Sequence, residues 1–203
     1  PGTSSNTQVY YNALGTSHLS GVELESKVLL TSRDRVDIGV TYEKAEFSDQ
    51  AVAPGATPAQ DIRFANFSMP LVPKWAGNAS YEHTFDIGRS GSLAAQATAH
   101  YSGATWLTFN HQTVAGPVPN AALGTAVGSF IPVTGGATSY REAYTKLNLS
   151  LRYTSTDESW YVLGFLNNVT NEKILGGAAA AGPNMYAYLD PPRNWGVRIG
   201  ARF

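Results

Sequence analysis

Residues able to do chemistry are spread thinly along this 203-residue chain. Two carboxylate pairs, Glu23/Glu25 and Asp34/Asp37, invite an acid–base reading in which one carboxyl donates a proton and the other accepts it. Glu23 and Glu25 lie two apart, so on a strand they share one face, and they read more simply as solvated charge. His18, His83, His100 and His111 show no metal-ligand spacing, and no metal site is expected. Gly88-Arg89-Ser90-Gly91 lacks the G-x-S-x-G spacing of a nucleophile elbow, and no glycine-rich phosphate loop is present. Cys is absent, which removes thiolate catalysis, disulfides and Cys-based metal sites together. No catalytic residues and no cofactor are therefore assigned. The sequons at Asn66, Asn78, Asn148 and Asn168 mostly fall in or at the end of strand patterns and read as chance.

The elements that must position any site are strands. Charged residues make up 14% of the chain, well below the usual quarter, while aromatics reach 11% with 20 Gly and 11 Pro. That mixture suits strands and turns better than helices. Net charge is −1 with a pI near 6.5, which excludes an electrostatic footprint for nucleic acid. Nothing approaches 18 consecutive apolar residues, so no transmembrane helix is expected. Pro1 to Asn6 lacks the basic and apolar regions of a signal peptide, consistent with a cytosolic, processed or partial chain.

Period-two alternation dominates. Trp195, Val197, Ile199, Ala201 and Phe203 alternate with Asn194, Gly196, Arg198, Gly200 and Arg202. Leu147, Leu149, Leu151 and Tyr153 alternate with Lys146, Asn148, Ser150 and Arg152. Similar splits recur around Val22–Leu30, Val36–Tyr42, Trp75–Ile87 and Leu93–Tyr101, with His83 the exception on an apolar face. Residues 160–169 are apolar on both faces, and their orientation stays open. Seven strands are predicted, at about 9–31, 36–48, 74–87, 91–107, 140–154, 159–170 and 193–203. The first is long enough to hold a bend or bulge near Gly15 or Gly21.

The connections alternate strictly between short and long. The long ones, about 49–73, 108–139 and 171–192, would all leave one end of an antiparallel meander. Transmembrane β-barrels have this layout, and strands of this length cross a bilayer when tilted. Tyr42, Trp75, Tyr101, Trp106, Tyr153, Trp160, Trp195 and Phe203 fall near strand ends, where interfacial aromatic girdles lie. A soluble β-sandwich that buries the same apolar faces would show the same alternation.

Several segments carry a family resemblance in their order. They are Tyr11-Asn12 with Gly21-Val22-Glu23-Leu24-Glu25, Val40-Thr41-Tyr42 through Phe47, and Val72-Pro73-Lys74-Trp75 with Asn78 and Tyr81. Leu149–Tyr153, Trp160-Tyr161-Val162, Asn167-Asn168-Val169-Thr170-Asn171-Glu172 and the closing Pro192-Arg193-Asn194-Trp195-Gly196-Val197-Arg198 follow. Together they resemble the C-terminal part of the β-barrel of TonB-dependent outer-membrane receptors, over nearly the whole chain.

The resemblance implies an all-β fold, the last seven or so strands of a 22-stranded barrel in the Gram-negative outer membrane, with the plug domain and TonB box outside this chain. Seven antiparallel strands cannot close, because the first and last would run parallel; a longer polypeptide is expected. The implied function is TonB-energised uptake of a scarce ligand such as a ferric siderophore, without catalysis. Implied partners are membrane lipid, TonB through the plug, the barrel-assembly machinery through Phe203, and a small-molecule chelate. Ligand-contact candidates are Trp106, Phe109, Tyr140, Arg141, Tyr144, Tyr186 and Tyr188; Glu23, Glu25, Lys146, Arg152 and Arg198 would face the lumen. Two alternatives stand beside this reading: a small complete outer-membrane barrel with a structural or adhesive role, needing an eighth strand from residues 1–20, and a soluble carbohydrate-binding β-sandwich.

Overall fold

A strand with one apolar and one polar face must pair its backbone edge to edge and then find a solvent for each face. The computed structural model of the chain describes residues 15–48, 52–53, 62–63, 68–107, 140–181 and 184–202. Seven strands form one sheet: β1 (Ser17–Leu29), β2 (Asp34–Phe47), β3 (Trp75–Asp86), β4 (Ser92–Ser102), β5 (Tyr144–Thr154), β6 (Trp160–Asn167) and β7 (Asn194–Ala201). Each pairs antiparallel with its sequence neighbours, so spatial order equals chain order. The sheet is an open meander whose edges, β1 and β7, are not paired with each other.

Register carries an apolar set from every strand onto one common face. One row runs Val28, Val36, Tyr81, Ala97, Leu149, Leu166 and Trp195 across all seven strands. A polar row on the other face runs Glu25, Gly39, Asn78, His100 and Lys146. The apolar face is bare: Val22 is 71% exposed, Ile199 73% and Trp195 78%. Among the described residues only Ala45, Leu107 and Ile174 are buried hydrophobics. A sandwich would cover this face with a second sheet, and none does so among the described residues; the remaining strand pairs are short ribbons. A single layer with an exposed apolar face is the wall of a barrel, as the alternation and loop pattern anticipate.

The same register orients the strand whose pattern was ambiguous. Val162, Gly164 and Leu166 of β6 lie opposite Ile199, Val197 and Trp195 on the apolar face. Tyr161, Leu163 and Phe165 lie opposite Gly200, Arg198 and Gly196 on the polar face. A Cβ added at Gly200 would stand 2.3 Å from Tyr161 Cε1, and one at Gly196 would stand 2.5 Å from Phe165 Cζ. The two rings therefore fill space that glycine leaves free, which is why apolar side chains occupy this polar face.

No bulge breaks β1. It pairs with β2 without a register shift from Ser17 opposite Phe47 to Leu29 opposite Arg35, through Gly21. The expected bulge is thus absent from Gly21, while Gly15, with a φ of 108°, bends the chain just ahead of β1; residues 9–14 of the expected first strand lie outside the described residues. His83, the polar exception on the apolar face, is matched across the β2–β3 pair by Asp34. Asp34 Oδ1 accepts from the Tyr81 hydroxyl and lies within hydrogen-bond distance of His83 Nδ1, each at 2.6 Å, while its other oxygen accepts from Thr31. These groups gather at the short-turn end, where a strand meets headgroups and water, so mutual hydrogen bonding makes their position tolerable.

Aromatics mark both ends of the apolar face. Tyr42 and Trp75 pack with ring centroids 4.8 Å apart at the end of the long connections. Tyr153 and Trp160 pack at 5.1 Å at the short-turn end.

Candidate ligand-facing rim

At the long-connection end the chain after β4 does not simply leave the sheet. Thr105–Trp106 pairs antiparallel with Tyr140–Arg141, making a short ribbon above β4 and β5. Gly103 N–H donates to the Trp75 carbonyl and Leu71 N–H to the Trp106 carbonyl, which tie this ribbon to the connection before β3. Ser102, Thr105 and Leu107, in and beside this ribbon, are buried.

Four of the expected contact residues form two pairs on and beside the ribbon. The rings of Trp106 and Tyr140 lie 4.6 Å apart. The Arg141 guanidinium carbon stands 5.4 Å from the Tyr144 ring centroid, and its Nη2 donates to Ser102 Oγ at 3.4 Å. Tyr144 faces the polar side of the sheet, with the His100 ring 6.2 Å away. The result is two separate contacts at one end of the sheet, a Trp106–Tyr140 ring pair and an Arg141–Tyr144 cation–ring pair, the first suited to stacking on planar groups and the second to attracting anions.

A second structured element rises from the connection between β6 and β7. Leu175–Ala181 pairs with Asn184–Leu189 as an antiparallel ribbon. Tyr188 lies against Gly177, whose added Cβ would meet the ring at 2.5 Å, and remains 66% exposed. Tyr186 lies on the same strand, opposite Ala179. Phe109, His111 and Phe203 lie outside the described residues, so their expected roles are not placed.

The expected lumen-facing residues divide by what they touch. Glu23 and Glu25 are exposed on the polar face, opposite Thr41 and Gly39. Arg152 stacks on Tyr161, its guanidinium carbon 4.1 Å from the ring centroid. Arg198 is exposed on the same face, opposite Leu163. Lys146 Nζ sits 2.9 Å from Asp190 Oδ2, so its charge meets a carboxylate at the foot of the second ribbon. No group of His, Asp and Glu able to hold a metal occurs among the described residues.

Sequence reasoning missed Asn168, read as part of a chance sequon. It is only 1% exposed, and its positive φ of 51° is a conformation that Asn tolerates better than most residues. Its Oδ1 accepts from Glu172 N–H at 2.8 Å, and its Nδ2 donates to the carbonyls of Glu172 and Pro191. Its own N–H donates to Asn148 Oδ1 at 2.9 Å. A usable signal was present: two asparagines three apart ahead of a loop, each suited to a left-handed turn position, and Asn171 also has positive φ.

A one-layer antiparallel wall, apolar outside and polar inside with built loops at one end, defines an outer-membrane β-barrel segment. A profile of the TonB-dependent receptor-like β-barrel family matches residues 1–171, and the chain belongs to that family. It is a protein of the Gram-negative outer membrane, and its family consists of transport receptors rather than enzymes. No curated protein matches it.

Solved structures share the fold. The ferric yersiniabactin uptake receptor FyuA from Yersinia pestis aligns with a TM-score of 0.63 at 16% identity, covering 90% of this chain and 23% of that one. The siderophore receptor PiuA from Acinetobacter baumannii aligns at 0.59 and 19%, covering 90% and 21%. BauA, the ferric preacinetobactin receptor from the same species, aligns at 0.58 and 14%, covering 90% and 22%. The chain thus spans less than a quarter of the length of each of these relatives.

Proposed function

We propose that this chain is the C-terminal wall segment of a TonB-dependent receptor that takes up a ferric siderophore or similar chelate. The polar face is the lumen, carrying Glu23, Glu25, Lys146, Arg152 and Arg198, and the apolar face meets membrane lipid. Energy comes from TonB through a plug domain outside this chain, and Phe203 presents the last strand to the barrel-assembly machinery. Ligand is met at the long-connection end by Trp106, Tyr140, Arg141 and Tyr144, with Phe109, Tyr186 and Tyr188 on the flanking connections.

One observation carries the reading: Trp106 packs on Tyr140, and Arg141 on Tyr144, on and beside a built ribbon at that end, bringing residues scattered over 39 positions to one rim. The family and the siderophore receptors sharing its fold support the substrate class.

The test is uptake of iron-55 by cells carrying the whole receptor, offered phenolate, catecholate and hydroxamate siderophores in turn. One class should be taken up. Arg141→Ala and Trp106→Ala should each lower that uptake about tenfold, a loss of about 1.4 kcal/mol of binding, at unchanged receptor abundance. Uptake of none of the three, or uptake indifferent to both variants, contradicts the assignment.

A further inference from the structure

The connection between β6 and β7 is rooted in the sheet at several independent points. Asn168 closes its first turn through three side-chain hydrogen bonds to Glu172 and Pro191, residues at the two ends of the connection. Asn171 Oδ1 accepts from Arg193 N–H at 3.0 Å, again joining one end to the other. Ile174 is 2% exposed, and its carbonyl accepts from Asp190 N–H at 2.9 Å. The Asp190 carboxylate then reaches Lys146 on the wall strand β5, and Asn148, two residues along β5 on the same face, accepts from Asn168 N–H.

We propose that Asn168 and the Lys146–Asp190 pair are positioning groups that hold the Leu175–Leu189 ribbon at a fixed attitude over the lumen. This rests on the functional reading above: they set ligand affinity through the ribbon without touching ligand. The wall supplies both anchors from one face of β5, so the ribbon is an arm of the barrel wall rather than a free lid. Lys146, with its charge already matched by Asp190, serves the ribbon and not the incoming anion.

This chain has no Cys, so with any Cys in the rest of the receptor replaced by Ser, a single Ala187→Cys in the whole receptor, in detergent, accepts one spin label on an exposed ribbon position. Asp190→Asn and Asn168→Gly should each raise label mobility. Glycine tolerates the positive φ and removes only the side-chain bonds. The charge swap Lys146→Asp with Asp190→Lys should restore low mobility, which a general loosening of the fold would not do. Titration with the ferric siderophore that wild type takes up should show the two loosening variants binding roughly fivefold or more weakly, with the swap near wild type. Mobility unchanged in both variants, or mobility raised with affinity untouched, overturns the proposal. The mobility readout needs no ligand. Loosening by Asp190→Asn in a receptor that takes up none of the siderophores supports the anchor and overturns the functional reading instead.

Discussion

Tyr161 and Gly200 form one unit across β6 and β7: the ring occupies the place where a Cβ on Gly200 would stand, 2.3 Å from Cε1. The Arg152 guanidinium then covers the ring from the β5 side, 4.1 Å from its centroid. Three strands are thereby joined on the polar face by one glycine, one ring and one cation.

Enlarging that glycine should expel the ring. Gly200→Val is expected to destabilise the folded receptor by about 1–3 kcal/mol, the usual cost of overpacking. Gly164→Ala is the control, because a Cβ there meets nothing within 4 Å; it should stay within about 0.5 kcal/mol. Urea unfolding in lipid vesicles separates the two, and equal effects would dissociate the ring from the glycine.

The orientation of β6 makes a paired prediction. Val162 lies on the apolar face and Leu163 on the polar face. An Arg at Val162 should cost about 2–4 kcal/mol if it lies near the bilayer midplane, less toward the interface, while an Arg at Leu163 should cost under about 1 kcal/mol. Leu149→Arg and Val197→Arg should behave like Val162→Arg. Folding titrations into vesicles measure all four, and a Leu163 variant as damaged as Val162 contradicts the register.

Asn148 should resist substitution despite facing water. Its Oδ1 accepts from Asn168 N–H at the buried foot of the β6–β7 connection. Asn148→Ala should cost about 1–2 kcal/mol, the penalty for an unsatisfied buried donor, whereas Ser150→Ala, one step along the same face, should be near neutral. Thermal unfolding monitored by loss of gel heat-modifiability reads the difference.

The Ser155–Ser159 turn should weaken in acid. Asp157 Oδ1 accepts from Ser155 Oγ at 2.7 Å and from Ser159 N–H at 3.2 Å. Bonding to Ser155 first, and then to Ser159, holds its carboxyl below the usual carboxylate range. A depressed folded-state pKa gives stability that is full above the ordinary Asp value of about 4 and is lost as pH falls below it. Wild type should therefore lose stability between pH 5 and pH 3 more steeply than Asp157→Asn does, by about the contribution of one group. Parallel slopes for the two proteins would show that this carboxylate is not responsible.

How much of this was legible beforehand depends on whether the information was local. Alternation in β5 and β7 places Leu149 and Val197 on one face without any structure, because a strand's side chains alternate by geometry. The same rule fails for β6: Tyr161 and Phe165 are apolar for the sake of glycines some 30 to 40 residues on, at Gly200 and Gly196. His83 looked like an error of register until pairing set it opposite Asp34, which comes 49 residues earlier in the chain. Loop chemistry was legible in kind but not in arrangement. Trp106, Tyr140, Arg141 and Tyr144 stood out by type, yet their meeting depends on a ribbon of two-residue strands with no pattern of its own. Asn168 was hidden by its small polar side chain, ordinary in a loop and informative only through its left-handed backbone and burial.

The central claim is that one face of this wall meets lipid and the other water. Adjacent residues in β7 test it directly, once any Cys outside this Cys-free chain is replaced by Ser. Val197→Cys and Arg198→Cys, placed singly in the whole receptor in native outer membranes, should be exposed to a membrane-impermeant maleimide after the barrel has been opened to the label from both sides. Cys at 198 should react and Cys at 197 should not, whereas a lipid-soluble maleimide should label 197. Equal reaction of the two with the impermeant reagent, or the reverse order, would contradict the barrel-wall assignment.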